Sequence, residues 1–290
     1  GGLSAGRRQV DPGSHFVSAY MLDREGQRIN RRNALDIFTP LYNTQIPPGA
    51  ADAVHYRLDL PADLTEPVEL EVALHYRKFD TEYMQFVKQD PTWRNDLPVM
   101  TLARDRVEFP VAPSGASEGP APATAEWERW NDYGIGLFRK SGRGELRQAE
   151  SAFQHVEGLG RPEGPVNLAR VYLREGRVTH EAPEALRRAR DFDPPANAWS
   201  VLWFTGQVNK QNGNFDDAIA NFRQLVEGGF AQAVGRNFDF SKDYVLLDEL
   251  GNTLYERAKQ ERGEARQAAR EALLREAVGY LEQALEYDPE

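Results

Sequence analysis

Five histidines, His15, His55, His75, His155 and His180, are the side chains of this sequence best suited to moving protons or binding a metal near neutral pH. Their spacing assembles neither function. His180 and Glu184 stand four residues apart, a separation that puts two ligands on one helix face, but Pro183 falls between them and no third donor follows. No metal site is expected. Arg28, Arg31 and Arg32 carry guanidinium groups that grip a carboxylate in a two-pronged fork, and the same cluster reads as a solvated turn. Tyr76-Arg77-Lys78-Phe79-Asp80 with Tyr83 mixes aromatics and charges as interface anchors do. Alternating core and surface positions write the same string. Gly142-Arg143-Gly144 lacks the strand that a phosphate-cradling loop must follow. No Ser, His and Asp order places a nucleophile beside its base, and the carboxylates are scattered along helix faces. No catalytic residue is assigned, and whether the chain is part of an enzyme stays open.

Composition narrows the chemistry further. The chain has 290 residues, 45 of them acidic and 35 basic, for a formal net charge of −10, and no cysteine. The missing thiols exclude a thiolate metal site, a disulfide and a covalently attached c-type haem within these residues. Neither half carries the basic excess that tracks phosphates, so nucleic acid is not an expected partner. No run approaches the ~18 apolar residues of a membrane span. The chain opens Gly1-Gly2 without a sorting pattern and ends Tyr287-Asp288-Pro289-Glu290 inside a repeating pattern, which suggests a piece of a longer protein.

The elements that must position these residues fall into two kinds. Residues 15–111 alternate in short runs. Val54, Tyr56, Leu58 and Leu60 share one face of a candidate strand; Val68, Leu70, Val72, Leu74 and Tyr76 share another. His15–Leu22 and Val99–Val111 add two more. Period-two alternation suits antiparallel strands with one face on a core, and Ile46-Pro47-Pro48-Gly49 and Leu60-Pro61-Ala62-Asp63 punctuate as turns. The four to six strands so counted predict an antiparallel β-sandwich-like domain over 1–110, with strands of its own missing upstream. Residues 111–126 hold three prolines and almost nothing to bury, so they read as a linker.

From 127 to 290 the period turns helical and repeats. Trp130-x-x-Tyr133-Gly134-x-x-Leu137 leads to Ala149-x-x-x-Phe153-x-x-Val156. Leu168-Ala169-x-x-Tyr172 leads to Ala182-x-x-x-Leu186-x-x-Ala189 and Pro194. Gly206 and Gly213 precede Ala218-x-x-x-Phe222-x-x-Leu225. Leu250-Gly251-x-x-Leu254 leads, after a longer charged insert, to Ala277-x-x-x-Leu281-x-x-Ala284 and Pro289. Four such helix–turn–helix copies resemble the tetratricopeptide (TPR) family, an α-solenoid of helix pairs. Thr205 and Asn209 depart from the apolar type usual at their positions. The resemblance implies that the first helix of each pair lines a concave, partner-binding face. The inward candidates are then Asn131, Phe138, Arg170, Trp203, Gln207, Lys210, Asp248, Asn252 and Tyr255. No dense basic clamp for a chain-terminal carboxylate stands out among them.

A second resemblance is more specific. Ala19–Gly26, Ile29-Asn30-Arg31-Arg32-Asn33, Asp36-Ile37-Phe38, Leu41-Tyr42-Asn43 and Gln45–Gly49 form a dense block. Val54-His55-Tyr56, Tyr76–Asp80, Tyr83-Met84, Trp130–Leu137 and Val208–Gly213 continue it. Together they are similar to the C-terminal part of bacterial multihaem c-type cytochromes that end in TPR arrays. The resemblance implies an exported, periplasm-facing protein whose c-type haem sits N-terminal to this block. It implies as partner either a separate protein or the parent's own haem domain, and it makes His15, His55 and His75 candidates for a haem contact. A TPR adaptor with no redox role, and a piece of an enzyme whose active site lies upstream, remain the alternatives.

Overall fold

Turn chemistry starts the first unit, which spans Gly1–Thr124 in a chain that divides there into two compact units. The structure, a computed structural model, describes residues 13–29, 33–111 and 123–289. The Asp23 carboxylate accepts from the backbone N–H of Glu25 and of Gln27, and Gly26 takes the positive φ that closes the turn. This joins β1 (Ala19–Leu22) to β2 (Arg28–Ile29), and β3 (Thr39–Asn43) adds to the other edge of β1, so the order is β2-β1-β3. Tyr20 and Tyr42 stack across β1 and β3 at 4.4 Å, with the Arg28 guanidinium 3.9 Å from the Tyr20 ring.

The second sheet is a two-stranded ribbon of β4 (Val68–Tyr76) and β5 (Met100–Phe109). Its antiparallel register sets Val68, Leu70, Val72 and Leu74 opposite Phe109, Val107, Asp105 and Ala103. Glu69 and Glu71 point the other way and pair with Arg106 and Arg104. Between the strands runs α1 (Thr81–Lys88), started by the Asp80 carboxylate accepting from Tyr83 N at 2.7 Å. Two expectations change here. The alternating stretch 54–60 joins no ladder, and its apolar face is exposed. Alternation supplies a face, but a strand needs a neighbour to accept its hydrogen bonds. Among the described residues of this unit, only Ala53 and Asn95 are buried, so the strands form two small antiparallel sheets.

The second unit, Ala125–Glu290, is helical. Its helices are α2 (Glu126–Lys140), α3 (Arg143–Gly158), α4 (Glu163–Glu175), α5 (Glu181–Asp191), α6 (Ala198–Gln211), α7 (Phe215–Glu227), α8 (Ala231–Val234), α9 (Tyr244–Gln260) and α10 (Gln267–Tyr287). The predicted linker lies mostly outside the described residues, and α2 begins at its last position, Glu126. Four antiparallel pairs form: α2 with α3, α4 with α5, α6 with α7, and α9 with α10. Each pair touches the next through α3–α4, α5–α6 and α7–α9, and the first helices also meet, α2 with α4 and α4 with α6.

The crossing inside a pair sets its geometry. A Cβ on Gly134 or Gly206 would fall within 3.0 Å of the Phe153 or Phe222 ring, and one on Gly251 within 3.0 Å of Leu281. Only a residue without a side chain lets the large one opposite seat in the groove. Phe153 and Phe222 are fully buried, as are Leu137, Leu168, Leu225, Leu250 and Leu254. Thr205 fits its helix by donating to the Val201 carbonyl at 2.7 Å, and Asn209 by bonding Asn221 of α7 at 3.1 Å. The charged insert of the fourth copy is not a loop; it supplies a 3-10 turn (Glu264–Arg266) and the first half of α10. Nearly buried Glu261 holds that corner, accepting from Arg257 at 2.6 Å and Arg266 at 3.0 Å. Between the third and fourth pairs, Trp199, Phe230, Phe238 and Phe240 form an aromatic cluster.

Gly134→Ala or Gly206→Ala should destabilise the helical unit by roughly 1–3 kcal/mol through overpacking. Gly279→Ala on α10, where a Cβ meets nothing within 4 Å, should instead stabilise it by about 0.5–1 kcal/mol. Denaturant melts of the three variants check this, and equal shifts would misplace the crossing. The hydrogen bonds from Arg257 and Arg266 hold the Glu261 carboxyl below its ordinary 4.5. A depressed carboxylate adds stability above its unfolded pKa and loses it as pH falls through the lower folded value. Glu261→Gln should therefore flatten the acid side of a melting-temperature profile below about pH 4.5 and lower stability at neutral pH.

Candidate functional site

The helical period sorts the polar residues of the first helices into rows. On α2, Asn131 and Phe138 are seven apart and share a face; on α4, Asn167, Arg170 and Arg174 follow at i, i+3 and i+7. Because α2 and α4 touch, the two rows meet. The Asn167 amide donates to Asn131 Oδ1 at 2.8 Å, and its own oxygen accepts from Arg170 Nη1 at 2.7 Å. Two guanidinium groups lie over the Phe138 ring, Arg170 at 4.9 Å and Arg174 at 5.3 Å from its centroid. Burial and the neighbouring charge of Arg174 hold the Arg170 guanidinium below its ordinary pKa. It stays charged at any physiological pH.

Three of the nine inward candidates, Asn131, Phe138 and Arg170, are thus brought together. Two of their neighbours, Asn167 and Arg174, are not among the nine. Arg174 was signalled by its i+4 position from Arg170. Asn167 was hidden because it is buried beneath the row.

The remaining six divide differently. Trp203 packs its ring 5.6 Å from Phe222 and lies against the core shared by α7, α9 and α10, so packing occupies it. Gln207 is half-buried one turn further along α6. Lys210 Nζ pairs with Glu249 Oε1 at 2.7 Å, tying α6 to α9. Asp248 accepts from Asn252 at 2.9 Å along α9. Tyr255 is exposed, with Lys259 Nζ 5.4 Å from its ring.

The histidines are placed separately. His15 Nε2 lies 2.9 Å from Asp52 Oδ2, and His75 Nδ1 lies 3.2 Å from Thr101 Oγ1 across the ribbon. His55 is on the exposed 54–60 stretch. His155 Nε2 bonds Glu126 at 3.1 Å and lies against Trp130, pinning α3 to the start of α2. His180 precedes α5 and makes no side-chain bond to its first turn, and Pro183, expected to interrupt that segment, sits in that turn, where its missing N–H is harmless. No group of three or more His, Asp or Glu able to hold a metal occurs among the described residues. Arg28 lies over Tyr20 with Glu82 3.6 Å away; Arg31 and Arg32 fall outside the described residues. Phe79 and Tyr83 stack at 5.0 Å at the start of α1. Gly142 to Gly144 only turns α2 into α3. No helix among the described residues is long and apolar enough to cross a membrane.

No protein-family model matches the chain, and no curated protein is found to be similar to it. The reading of the site therefore rests on its geometry.

The Lys210–Glu249 pair is about three-quarters buried on both sides, so it should couple α6 to α9. A double-mutant cycle with Lys210→Met and Glu249→Gln should give an interaction of about 1 kcal/mol. Strict additivity would leave Lys210 available to a partner.

Proposed function

We propose that this chain is a protein-docking module whose first-helix face takes an extended segment of another protein. The observation that carries it is the meeting of α2, α4 and α6 side by side, with Asn131, Phe138 and Arg170 gathered on one face. Amides bond a peptide backbone, aromatic rings give rigid apolar area, and guanidinium groups grip acids. In this reading the helix pairs form a TPR α-solenoid, supported by the repeated Gly-to-large crossing at Gly134, Gly206 and Gly251. The ribbon β4–β5 and the β2-β1-β3 sheet belong to a sandwich-like domain, supported by the half-exposed apolar face of the ribbon.

The resemblance to multihaem c-type cytochromes extends the proposal to context. The parent protein would be exported and face the periplasm, carrying its haem outside these residues. A chain with no cysteine cannot hold a c-type haem covalently, so no electron-transfer step is placed within it. The partner would be a separate protein or the parent's own haem domain, with His15, His55 and His75 as the side chains able to approach a haem edge from the β unit.

Two measurements test the parts. The visible spectrum of the full-length natural protein, oxidised and then reduced, should show sharp c-type bands; a colourless protein would remove the redox context and leave an adaptor. A photoreactive residue replacing exposed Tyr255 on α9 should cross-link one discrete protein in the native cells, and one replacing exposed Leu285 on α10 should not. Equal adducts from both positions would remove docking on the first-helix face.

A further inference from the structure

Among the described residues, the half-buried arginines of the helical unit are, with one exception, held by the protein's own acids: Arg161 by Glu163, and four more likewise. Arg177 is held by Glu150, Glu175 and Glu181, Arg188 by Glu157, Arg223 by Glu276, and Arg257 by Asp216 and Glu261. Arg170 is the exception, and exposed Arg174 lies one turn along α4 from it. Arg170 bonds only the Asn167 amide oxygen and the Phe138 ring face, and Arg174 meets only that ring. Among the described residues no carboxylate pairs with either, in a protein carrying 45 acids. Glu175, the acid next to Arg174 in sequence, is turned to Arg177 at 3.1 Å.

A guanidinium presents five donors, and Arg170 uses one of them on Asn167. Its half-buried position keeps water from screening what it meets, so the donors left over favour a charged acceptor there. Two cations gathered at one aromatic ring repel each other, and a bound anion would relieve that repulsion. The Asn131–Asn167 amide pair fixes the orientation of Arg170, so the site is pre-set before a ligand arrives.

We infer that the α2–α4 face is a carboxylate-binding subsite, in which Arg170 and Arg174 hold an aspartate or glutamate side chain of an extended segment running across it. The row of first helices continues from α4 to α6. A segment can therefore run on past the arginines, which favours an internal acid over a chain terminus. This rests on the docking reading above and names the chemistry of its ligand.

The test uses the intact chain and three short peptides of one Gly/Ala/Ser sequence. The first is acetylated and amidated, with a central Glu-Ala-Glu. The second is its Gln-Ala-Gln twin, and the third is that twin with a free C-terminus. The readout is the Nε–Hε NMR signals of Arg170 and Arg174. The Glu peptide should shift both signals saturably, the capped Gln twin should not, and Arg174→Gln should weaken binding roughly tenfold. Arg174 is exposed, so its variant keeps the fold, and unchanged melting confirms that. Equal shifts from the Glu and Gln peptides, or unchanged affinity in Arg174→Gln, would falsify the subsite. Tightest binding by the free-terminus peptide would replace the internal acid with a chain end. Binding of the Glu peptide that moves signals on α6 and α9 but neither arginine would overturn this subsite and leave docking intact. No shift anywhere on the four first helices would count against both.

Discussion

The close crossing of the two helices in a pair is the constraint on which the helical unit depends. Where Gly134 faces Phe153 and Gly206 faces Phe222, backbone and ring approach to a distance that no Cβ permits. That contact fixes how far apart the helices of a pair lie. With the distance set, the apolar residues left over on α3, α5 and α7 have one place to go, which is against the next pair. The first helices then fall side by side without any bond designed for the purpose. Asn131 reaches Asn167, 36 residues on, at 2.8 Å because two glycine-tightened or alanine-tightened crossings hold α2 and α4 in step.

Charge plays the secondary role. Many of the ion pairs join neighbouring helices: Arg188 of α5 to Glu157 of α3, Lys210 of α6 to Glu249 of α9, Arg223 of α7 to Glu276 of α10. Such pairs contribute little each when solvent reaches them, and they add register to a stack that apolar contacts already hold. Against that background a half-buried arginine left with an amide and a ring is a departure, and it lies on the face where the rows of polar side chains converge.

The helical half was legible in the sequence because small and large residues at fixed spacing are the physical cause of the crossing. Ala149, Phe153 and Val156 could be read as a buried stripe before any coordinate was known, and all three are fully buried. The insert before Ala277 was less legible: its charges marked a surface, and a surface helix carries the same charges as a loop. The aromatic cluster of Trp199, Phe230, Phe238 and Phe240 was not legible, since it joins residues some 40 positions apart with no period between them. In the first half the alternation of 68–76 named a true strand and that of 54–60 did not, because a strand is defined by the neighbour that takes its hydrogen bonds. Of the inward candidates, Asn131, Phe138 and Arg170 lie together because helical spacing sets each on the facing side of its helix. Asn167 was missed because an amide under a row carries no surface signal, and the pairing of Lys210 was not legible because Glu249 lies 39 residues away.

Contacts between neighbouring pairs alone also have a mechanical consequence. A stack in which each pair leans only on the next has no long-range brace, so bending and twisting are shared out as small rotations at every junction. The Asn212 amide, bonded to the Val178 carbonyl at 2.8 Å, ties the second pair to the third, where ion pairs tie the others. The arginine pair on α4 and the lysine–glutamate tie between α6 and α9 sit on opposite sides of that junction. A rotation there would change the spacing between them and leave the chemistry at each as it is.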